Sequence, residues 1–430
     1  MKKDDSDVLI IGGGIVGSTL ALLLGEAGWR VTIVDAASAP EIDETLGQGK
    51  PALRVSALTA ASQRLLTSLD VWSWLAARRV AAYRGMQVWD AEGSGEIGFD
   101  ADDVGVDALG HIVENELLLA ALARRLQALP SVERLSNVRL TGYVRDAGQA
   151  VITMDNGEQR RAPLIVGADG ANSPLRGMAG IPVRERDTGQ AAVVTTVRTG
   201  IGHGGVARQT FLATGPLAFL PLIVEGRDDH CSIVWSTTPG EARRLTALGE
   251  TDEGRVQLGV ELARGLGGRL GDVEVIDAAP HFPITQRHAQ RYVDDGLALV
   301  GDAAHSLHPL AGQGVNLGLM DAAVLAEEWI RARRRGAPAG DRRILARYER
   351  RRRNDNAAML AAMQGFQRLF GSQQPALRLA RNWGLSGVDR LMPVKRLLIR
   401  QALGEYGDLP ERCQATSASW ELAEDGKGRP

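Results

Sequence analysis

The start of the chain alternates between apolar runs and glycine or acidic positions in the order of a β-α-β unit. Val8–Ile11 is a short apolar run that ends in glycines, which is typical of a buried parallel strand. Residues 15–27 have helical spacing and stop at Gly28, a residue suited to a helix C-cap. Val31–Val34 is a second apolar run, and Asp35 follows it. The pattern predicts a strand, a helix and a parallel strand, with a carboxylate at the end of the second strand.

Further along, periodicity divides the chain into α/β, β-rich and helical stretches. Alternating apolar and polar residues predict a β-rich substrate domain in two pieces, 81–104 and 183–284. The stretches around it predict one discontinuous nucleotide-binding domain, built from 1–80, 105–182 and 285–365. A helical C-terminal segment covers 366–430. Long helices are predicted over 59–69, 116–129 and 314–334, and glycine-containing hairpin turns at 93–95 and 155–157.

The predicted fold class is therefore α/β (α+β overall), with a Rossmann-like domain, an inserted β-sheet domain and a helical C-terminus. Composition narrows the functions that fit it. Charge is nearly balanced, with 50 basic and 52 acidic side chains, so no basic face for nucleic acid is expected. The two cysteines, Cys231 and Cys413, are too few and too far apart for a disulfide framework or a zinc site.

The sequence is also not typical of a membrane-spanning or a secreted protein. No apolar stretch reaches the roughly 18–20 residues that a spanning helix needs. The charged residues 1–7 do not match a signal peptide. We expect a cytoplasmic protein, and any contact with the inner membrane face would be peripheral.

A glycine fingerprint, Gly12-x-Gly14-x-x-Gly17, follows the first predicted strand. The first glycine permits a tight turn, the second lets the backbone approach a pyrophosphate, and the third allows close packing of helix and strand. Asp35 stands where an acid would bind a ribose hydroxyl. A glycine-rich turn without a ligand is the alternative, and the fingerprint alone leaves FAD and NAD open.

A second motif, Gly-Ala-Asp-Gly-Ala-Asn-Ser-Pro-Leu-Arg, occupies residues 167–176. Asp169 and Gly170 stand between a predicted strand and a short helix. Ser173 or Asn172 is suited to cap that helix, so a purely structural turn is the alternative interpretation.

A third motif begins at Gly301-Asp302 and runs to residue 318. Asp302 ends a strand and can accept a hydrogen bond from a ribityl hydroxyl. The glycines and small residues that follow expose backbone N–H groups at a helix start, which suits the electron-rich N1–C2=O edge of a flavin. The candidate residues are Pro309, Gly312, Gln313, Gly314, Val315 and Asn316. His305 and His308 have no third ligand nearby, so we predict no metal site and interpret them as loop-packing or pocket-lining residues.

In this order the motifs resemble those of the group A flavin monooxygenases, the p-hydroxybenzoate hydroxylase superfamily. Within it the chain looks like the ubiquinone-biosynthesis hydroxylases over nearly its whole length. The segments that carry this resemblance are 53–58, 83–90, 110–115, 217–222, 231–236, 363–366 and 407–410.

The resemblance implies FAD as cofactor, NAD(P)H as a transient co-substrate and O₂ as the oxygen source. It implies that Arg54 contacts the flavin and its phosphates and that Asn115 reaches the pyrophosphate. Asp35 departs from the glutamate common in relatives. No side chain is predicted to be catalytic, because the flavin carries the chemistry. The candidates for lining the pocket are His308, Pro309 and Phe219, with core packing as the alternative for Phe219.

The implied substrate is a polyprenylated phenol of ubiquinone biosynthesis, hydroxylated on its aromatic ring. One alternative is a sibling reaction on a later methoxylated phenol or benzoquinol. Another is a catalytically silent flavoprotein scaffold in a quinone-synthesis complex. The arginine-rich segment 331–353 predicts contact with anionic lipid or an acidic partner protein, or else a solvated helix face. Residues 377–403 mix leucine and arginine at helical spacing, as in an interfacial or docking helix.

Overall fold

The structure is a computed structural model, and it describes residues 6–306, 314–338, 340–370 and 391–415. The described helices are α1 (Ile15–Glu26), α2 (Ala60–Ser68), α3 (Trp72–Ala76), α4 (Asn115–Gln127), α5 (Pro174–Met178), α6 (Pro239–Leu248), α7 (Asp252–Gly265), α8 (Gly314–Arg334), α9 (Arg342–Phe370) and α10 (Met392–Ala402). Short 3₁₀ turns lie at Ala101–Asp103, Gly301–Ala303 and Glu411–Cys413.

The described strands are β1 (Val8–Ile11), β2 (Val31–Val34), β3 (Val55–Leu58), β4 (Val80–Tyr83), β5 (Gly85–Asp90), β6 (Glu96–Asp100), β7 (Gly110–Glu114), β8 (Val132–Leu135), β9 (Leu140–Asp146), β10 (Gln149–Met154), β11 (Gln159–Ala162), β12 (Leu164–Gly167), β13 (Val183–Thr199), β14 (Val206–Leu212), β15 (Gly215–Val224), β16 (Arg227–Thr237), β17 (Val273–Val275), β18 (His281–Ala289), β19 (Val293–Asp294), β20 (Leu297–Leu299) and β21 (His305–Ser306).

A six-stranded sheet in the order β19-β20-β12-β1-β2-β8 forms the nucleotide-binding core. β1 pairs in parallel with β2 on one side and with β12 on the other. The chain thus first continues to one side of β1 and later returns to the other side. Fully buried apolar residues on these strands suit a sheet covered by helices, with α1 packed against α4 and α8. The reversal of strand order beside β1 makes the carboxyl edge of this sheet a topological switch point, where α/β proteins bind ligands.

A nine-stranded sheet stands beside this core, in the order β21-β18-β13-β16-β15-β14-β5-β6, with β17 paired to β13. Its neighbours are antiparallel except for β14 and β5. Side chains alternate along each strand, so the two faces meet different partners. One face packs on α6 and α7, and the other places Leu222 and Val224 against a three-stranded sheet in the order β3-β7-β4.

The architecture agrees with the predicted mixed α/β class. The helix predicted over 314–334 is α8, with the same bounds. Both predicted hairpin turns are confirmed, one between β5 and β6 and the other between β10 and β11. The helix predicted over 59–69 begins one residue later, because Thr59 is its N-cap and accepts a hydrogen bond from the Ser62 amide.

Candidate functional site

The glycine fingerprint forms the turn between β1 and α1, and each of its glycines meets a different environment. Gly12 has a φ of +103°, and a Cβ there would stand 2.2 Å from the Ala168 carbonyl oxygen. A Cβ on Gly17 would stand 2.0 Å from the Gly12 carbonyl oxygen. Gly14 is exposed, with nothing within 4 Å of a Cβ position. The first and third glycines are thus required by the protein's own packing, and the second leaves open backbone beside a helix start, as a pyrophosphate requires.

Asp35 is held directly beside this turn. Its Oδ2 accepts a hydrogen bond from the Gly13 amide at 2.8 Å and another from Arg134 Nη2 at 3.1 Å. Arg134 Nη1 also donates to the Gly13 carbonyl at 3.2 Å. The arginine sits on β8, next to β2 in the sheet, and its role is visible only once that pairing is known. The carboxylate is therefore oriented at the place predicted for a ribose contact, with a cation against it.

The Asp169-Gly170 turn lies against the fingerprint, since Ala168 is the residue that Gly12 approaches. Asp169 Oδ2 accepts a hydrogen bond from the Leu175 amide at 3.0 Å, and Ser173 caps α5. These two side chains therefore shape the turn itself, as in the structural interpretation of the motif. A contact between this turn and the cofactor would use its backbone, and Gly170 has a φ of +82° there.

The Gly301-Asp302 turn meets both of the others. Gly301 and Gly318 approach Val16 of α1 so closely that a Cβ would stand 3.1 Å and 2.5 Å from its Cγ2. Arg176, from the second motif, donates through Nη1 to the Ala303 carbonyl at 2.8 Å. The described parts of the three motifs, separated by more than a hundred residues in sequence, thus contact one another at the switch point, and the groove expected for the cofactor would lie along them.

Asp302 is exposed to solvent along this groove. Desolvation by the protein around it raises the pKa of its carboxyl, and nearby cations, among them Arg54, act in the opposite direction. The Arg54 side chain is exposed, and its carbonyl accepts a hydrogen bond from the Asn115 amide at 3.0 Å. Asn115 starts α4 and accepts a hydrogen bond from Ser56 Oγ at 2.7 Å. Arg54, Asn115 and Asp302 are thus brought together, as a shared ligand would require.

The third motif continues into α8, which begins at Gly314 and Val315. Asn316 has a buried side chain whose Oδ1 accepts from the Thr59 amide at 3.0 Å and whose Nδ2 donates to the Ala57 carbonyl at 2.8 Å. Its side chain therefore joins α8 to the β3–α2 connection, and a cofactor contact at this residue would use its backbone. Four other predicted site residues lie outside the described residues: His308, Pro309, Gly312 and Gln313.

A family model described as "FAD binding domain" matches residues 5–362. The 3-demethoxyubiquinol 3-hydroxylase of Escherichia coli (strain K12) is 39% identical over 405 residues, which cover 94% of this chain and 100% of that protein. The ubiquinone hydroxylase UbiL of Rhodospirillum rubrum is 39% identical over 406 residues, covering 94% of this chain and 91% of that protein. This chain belongs to the FAD-dependent hydroxylases of ubiquinone biosynthesis.

As a member of this family the protein is a flavin monooxygenase, with FAD as its cofactor and with the NAD(P)H and O₂ requirement of the class. The predicted family, enzyme class and cofactor are confirmed. The crystal structure of p-nitrophenol 4-monooxygenase PnpA from Pseudomonas putida DLL-E4 matches with a TM-score of 0.74 at 21% identity, covering 93% of this chain and 98% of that one. At that identity the likeness shows the fold.

Sequence reasoning missed a buried carboxylate that supports the third motif of this flavin monooxygenase. Asp321, on α8, accepts hydrogen bonds through Oδ2 from the Gly301 amide at 3.0 Å and from His305 Nε2 at 2.5 Å. Its Oδ1 accepts from Arg352 Nε at 2.8 Å and from Asn356 Nδ2 at 3.2 Å. Burial alone would raise the pKa of Asp321. The charges and hydrogen bonds of His305 and Arg352 nevertheless lower this pKa to about 2.

His305 is therefore a loop-packing residue, the first of its two predicted interpretations. It is 1% exposed and stacks on Tyr292 at a centroid distance of 5.8 Å. The described residues contain no group of three or more histidine, cysteine, aspartate or glutamate side chains that could hold a metal. Helical spacing could have suggested that Asp321 is buried, since it lies on the face of α8 that also carries Gly318 and Leu325. The neighbouring sequence does not identify the partners of its carboxylate.

Phe219 is a core residue rather than a pocket residue, so the pocket candidate is corrected in favour of the alternative of core packing. It is 1% exposed and packs with Trp235, Leu258 and their neighbours beneath α6 and α7. The opposite face of β15 is the one that turns towards β3 and β7, through Leu220 and Leu222. The register of β15 decides which of its residues face α6 and α7 and which face β3 and β7. An apolar run in the sequence does not reveal that register.

The arginine-rich segment is also only partly a surface. Arg352 is buried against Asp321, and Arg351 pairs with Glu327 at 2.9 Å and Glu328 at 2.8 Å. The arginines that remain exposed in the described part of this segment include 334, 335, 342, 343, 347, 350 and 353. Among the described helices, none has the length and apolar character of a membrane span.

Proposed function

We propose that this flavin monooxygenase hydroxylates the aromatic ring of a polyprenylated phenol, 2-polyprenylphenol, in ubiquinone biosynthesis. The observation that carries the proposal is the relationship to hydroxylases of ubiquinone biosynthesis, which extends over the whole length of one of them. The contacts among the three motifs support it, because they bring together the residues expected to hold FAD.

When bound, FAD would take electrons from NAD(P)H and use them to activate O₂. The protein's own share is to bind, orient and exclude water. In the proposal, the α1 N-terminus beside Gly14 holds the pyrophosphate, Asp35 binds the ribose and Asp302 binds the ribityl chain. The N-terminus of α8 would hold the flavin ring edge that gains negative charge on reduction, since its helix dipole favours that charge.

Leu220 is the candidate apolar contact for a ring substrate, since it is only partly buried on the sheet face that is turned towards β3 and β7. The phenol's own oxygen activates the ring towards an electrophilic oxygen. For this reason the proposal requires no acid–base pair of side chains.

A second candidate is hydroxylation of a later methoxylated intermediate. The 39% identity to the 3-demethoxyubiquinol 3-hydroxylase of Escherichia coli favours it. Mass spectrometry of lipids from a strain that lacks this gene separates the two. An unhydroxylated polyprenylphenol accumulates if the first proposal holds, whereas a demethoxy intermediate accumulates if the second does. Normal ubiquinone with neither intermediate would contradict both.

We further propose that the enzyme reaches its substrate by peripheral membrane contact through α10. Leu391, Val394 and Leu397 are 55%, 40% and 66% exposed and recur at three-residue spacing. Replacing all three with glutamine should abolish flotation with liposomes of inner-membrane lipid composition. The control is Val256→Gln with Val260→Gln, which removes two exposed apolar residues from α7 and should leave flotation intact. Equal flotation of both variants would reject contact through α10.

A further inference from the structure

A buried arginine binds the backbone of the irregular loop before β3. Residues 41–50 form no helix or strand and are mostly exposed. Arg79, which is 6% exposed, donates through Nη2 to the Gly47 carbonyl at 2.6 Å and to the Gly49 carbonyl at 2.7 Å. One guanidinium thus holds the backbone of this loop at two points, which its planar fork of donors makes possible.

Glu114 completes the attachment from the other side. It is 5% exposed, its Oε1 lies 3.1 Å from Arg79 Nη1, and its Oε2 accepts a hydrogen bond from the Ala52 amide at 2.6 Å. At the exposed tip, Lys50 Nζ lies 2.6 Å from Asp277 Oδ1, beside the large sheet. The loop is therefore attached on both sides just before Arg54, whose charge acts on the carboxyl of Asp302.

The attachment leads directly to the cofactor groove. Arg54 follows the held segment by two residues, and its carbonyl accepts from the amide of Asn115, the residue after Glu114. Arg79 and Glu114 themselves are too deeply buried to contact a ligand in the groove. A buried ion pair adds little net stability over apolar side chains of similar volume, because desolvation offsets the attraction. What apolar residues could not replace is the set of hydrogen bonds to the three loop backbone groups.

We propose that Arg79 and Glu114 are positioning residues that hold the 47–54 loop so that Arg54 points at the bound FAD. The inference rests on the proposed contact between Arg54 and the flavin, and it does not depend on which phenol is hydroxylated.

The test compares two double variants of the holoenzyme. Arg79→Met with Glu114→Gln removes both charges together, so no unpaired charge stays buried, and it removes the hydrogen bonds to Gly47 and Gly49. The control is Arg64→Met with Glu405→Gln. Arg64 also pairs with a carboxylate, at 3.0 Å, and donates to a loop carbonyl, that of Cys413, at 2.8 Å, and it belongs to none of the three motifs.

FAD dissociation constants from flavin fluorescence, and Tm values, are measured for each protein. We expect the Arg79/Glu114 variant to bind FAD about tenfold more weakly than wild type, as expected from the loss of hydrogen bonds to a charged group. The control should bind FAD as wild type does. A similar fall in Tm for both variants with unchanged FAD affinity would overturn the proposal and leave the pair a purely structural role.

Adding Arg54→Ala shows whether the pair acts through that residue. In wild type, Arg54→Ala should weaken FAD binding. In the Arg79/Glu114 background it should have little further effect, because the arginine is no longer held in place, and the two changes should be non-additive. Strict additivity would overturn positioning through Arg54. Because FAD binding is measured without any aromatic substrate, neither result depends on the proposed reaction.

Discussion

Two turns that border the cofactor groove are built in opposite ways. The turn after β1 takes its shape from its own glycines, since Gly12 and Gly17 leave no room for a side chain. The turn at Gly301 takes its position from Asp321 and, through it, from Arg352 on α9. The first turn is required by its own glycines, with Asp35 and Arg134 held against it, whereas the second turn depends on a buried carboxylate of α8 and its partner on α9. This difference decides which parts of the site could be predicted and which substitutions should damage it.

The largest expected effect on stability is at Asp321, the carboxylate that holds the turn at Gly301. Asp321→Ala leaves Arg352 and His305 buried without their carboxylate and should lower the free energy of unfolding by about 3–5 kcal/mol. FAD content should fall as well, because the Gly301 amide loses its acceptor. Urea unfolding and the flavin-to-protein absorbance ratio measure the two effects. Asp408→Asn is the control, since Asp408 also pairs with an arginine, Arg351 at 2.9 Å, but is 75% exposed, so its loss should cost about 1 kcal/mol or less. Equal losses for both variants would contradict the account of the second turn.

A side chain at Gly12 should disrupt the turn after β1. Gly12→Ala places a methyl group 2.2 Å from the Ala168 carbonyl at a φ of +103°. The unfavourable φ costs about 1–3 kcal/mol, the contact adds to it, and FAD binding should be lost. Gly28→Ala is the matched control, with a φ of +76° and nothing within 4 Å of the new methyl. It should show the strain in thermal unfolding but retain FAD. Retention of FAD by Gly12→Ala would show that the turn tolerates a side chain.

Acid should weaken the second turn more than the first. The pKa of Asp321, lowered to about 2, lies below that of an unfolded aspartate, near about 3.9. Its contribution to stability is therefore complete above about pH 4 and is lost as the pH falls towards about 2. The difference in unfolding free energy between wild type and Asp321→Asn should shrink by about 2 kcal/mol across that range. Urea unfolding at several pH values measures it, and a difference that does not change with pH would contradict the lowered pKa.

The smallest effect on stability belongs to the open glycine. Gly14→Ala has room for its methyl within the protein and should change the unfolding free energy by no more than about 0.5 kcal/mol. It should nevertheless raise the FAD dissociation constant about tenfold, because the methyl would stand where the pyrophosphate approaches. Gly240→Ala on α6, also with open space, is the control for both measurements. If this variant binds FAD as tightly as the control does, the pyrophosphate does not approach the backbone at Gly14.

The same contrast explains how far the sequence alone could go. The β1–α1 turn, the bounds of α8 and the family resemblance follow from local patterns, because glycine spacing and periodicity record short-range geometry. Arg134 and the Arg79–Glu114 pair could not be found in this way, since each acts on a loop that is distant in sequence.

In two places individual contacts decided between interpretations that the sequence left open. Phe219 faces α6 and α7 because of the register of β15, and the apolar run around it reads the same for either face. Arg351 and Arg352 belong to an arginine-rich run that favoured a surface, but their partners on α8 leave the first mostly buried and place the second in the core. Composition describes a segment's average tendency, whereas burial is decided by individual partners.

The proposed reaction is tested most directly by following the oxygen atom. The purified holoenzyme would be supplied with NAD(P)H, a 2-polyprenylphenol and ¹⁸O₂, and the lipid product analysed by mass spectrometry. The account predicts one ¹⁸O atom in a new ring hydroxyl and NAD(P)H oxidation that the phenol stimulates. Oxidation of NAD(P)H without labelled ring product, for this phenol and for the demethoxy intermediate alike, would contradict it.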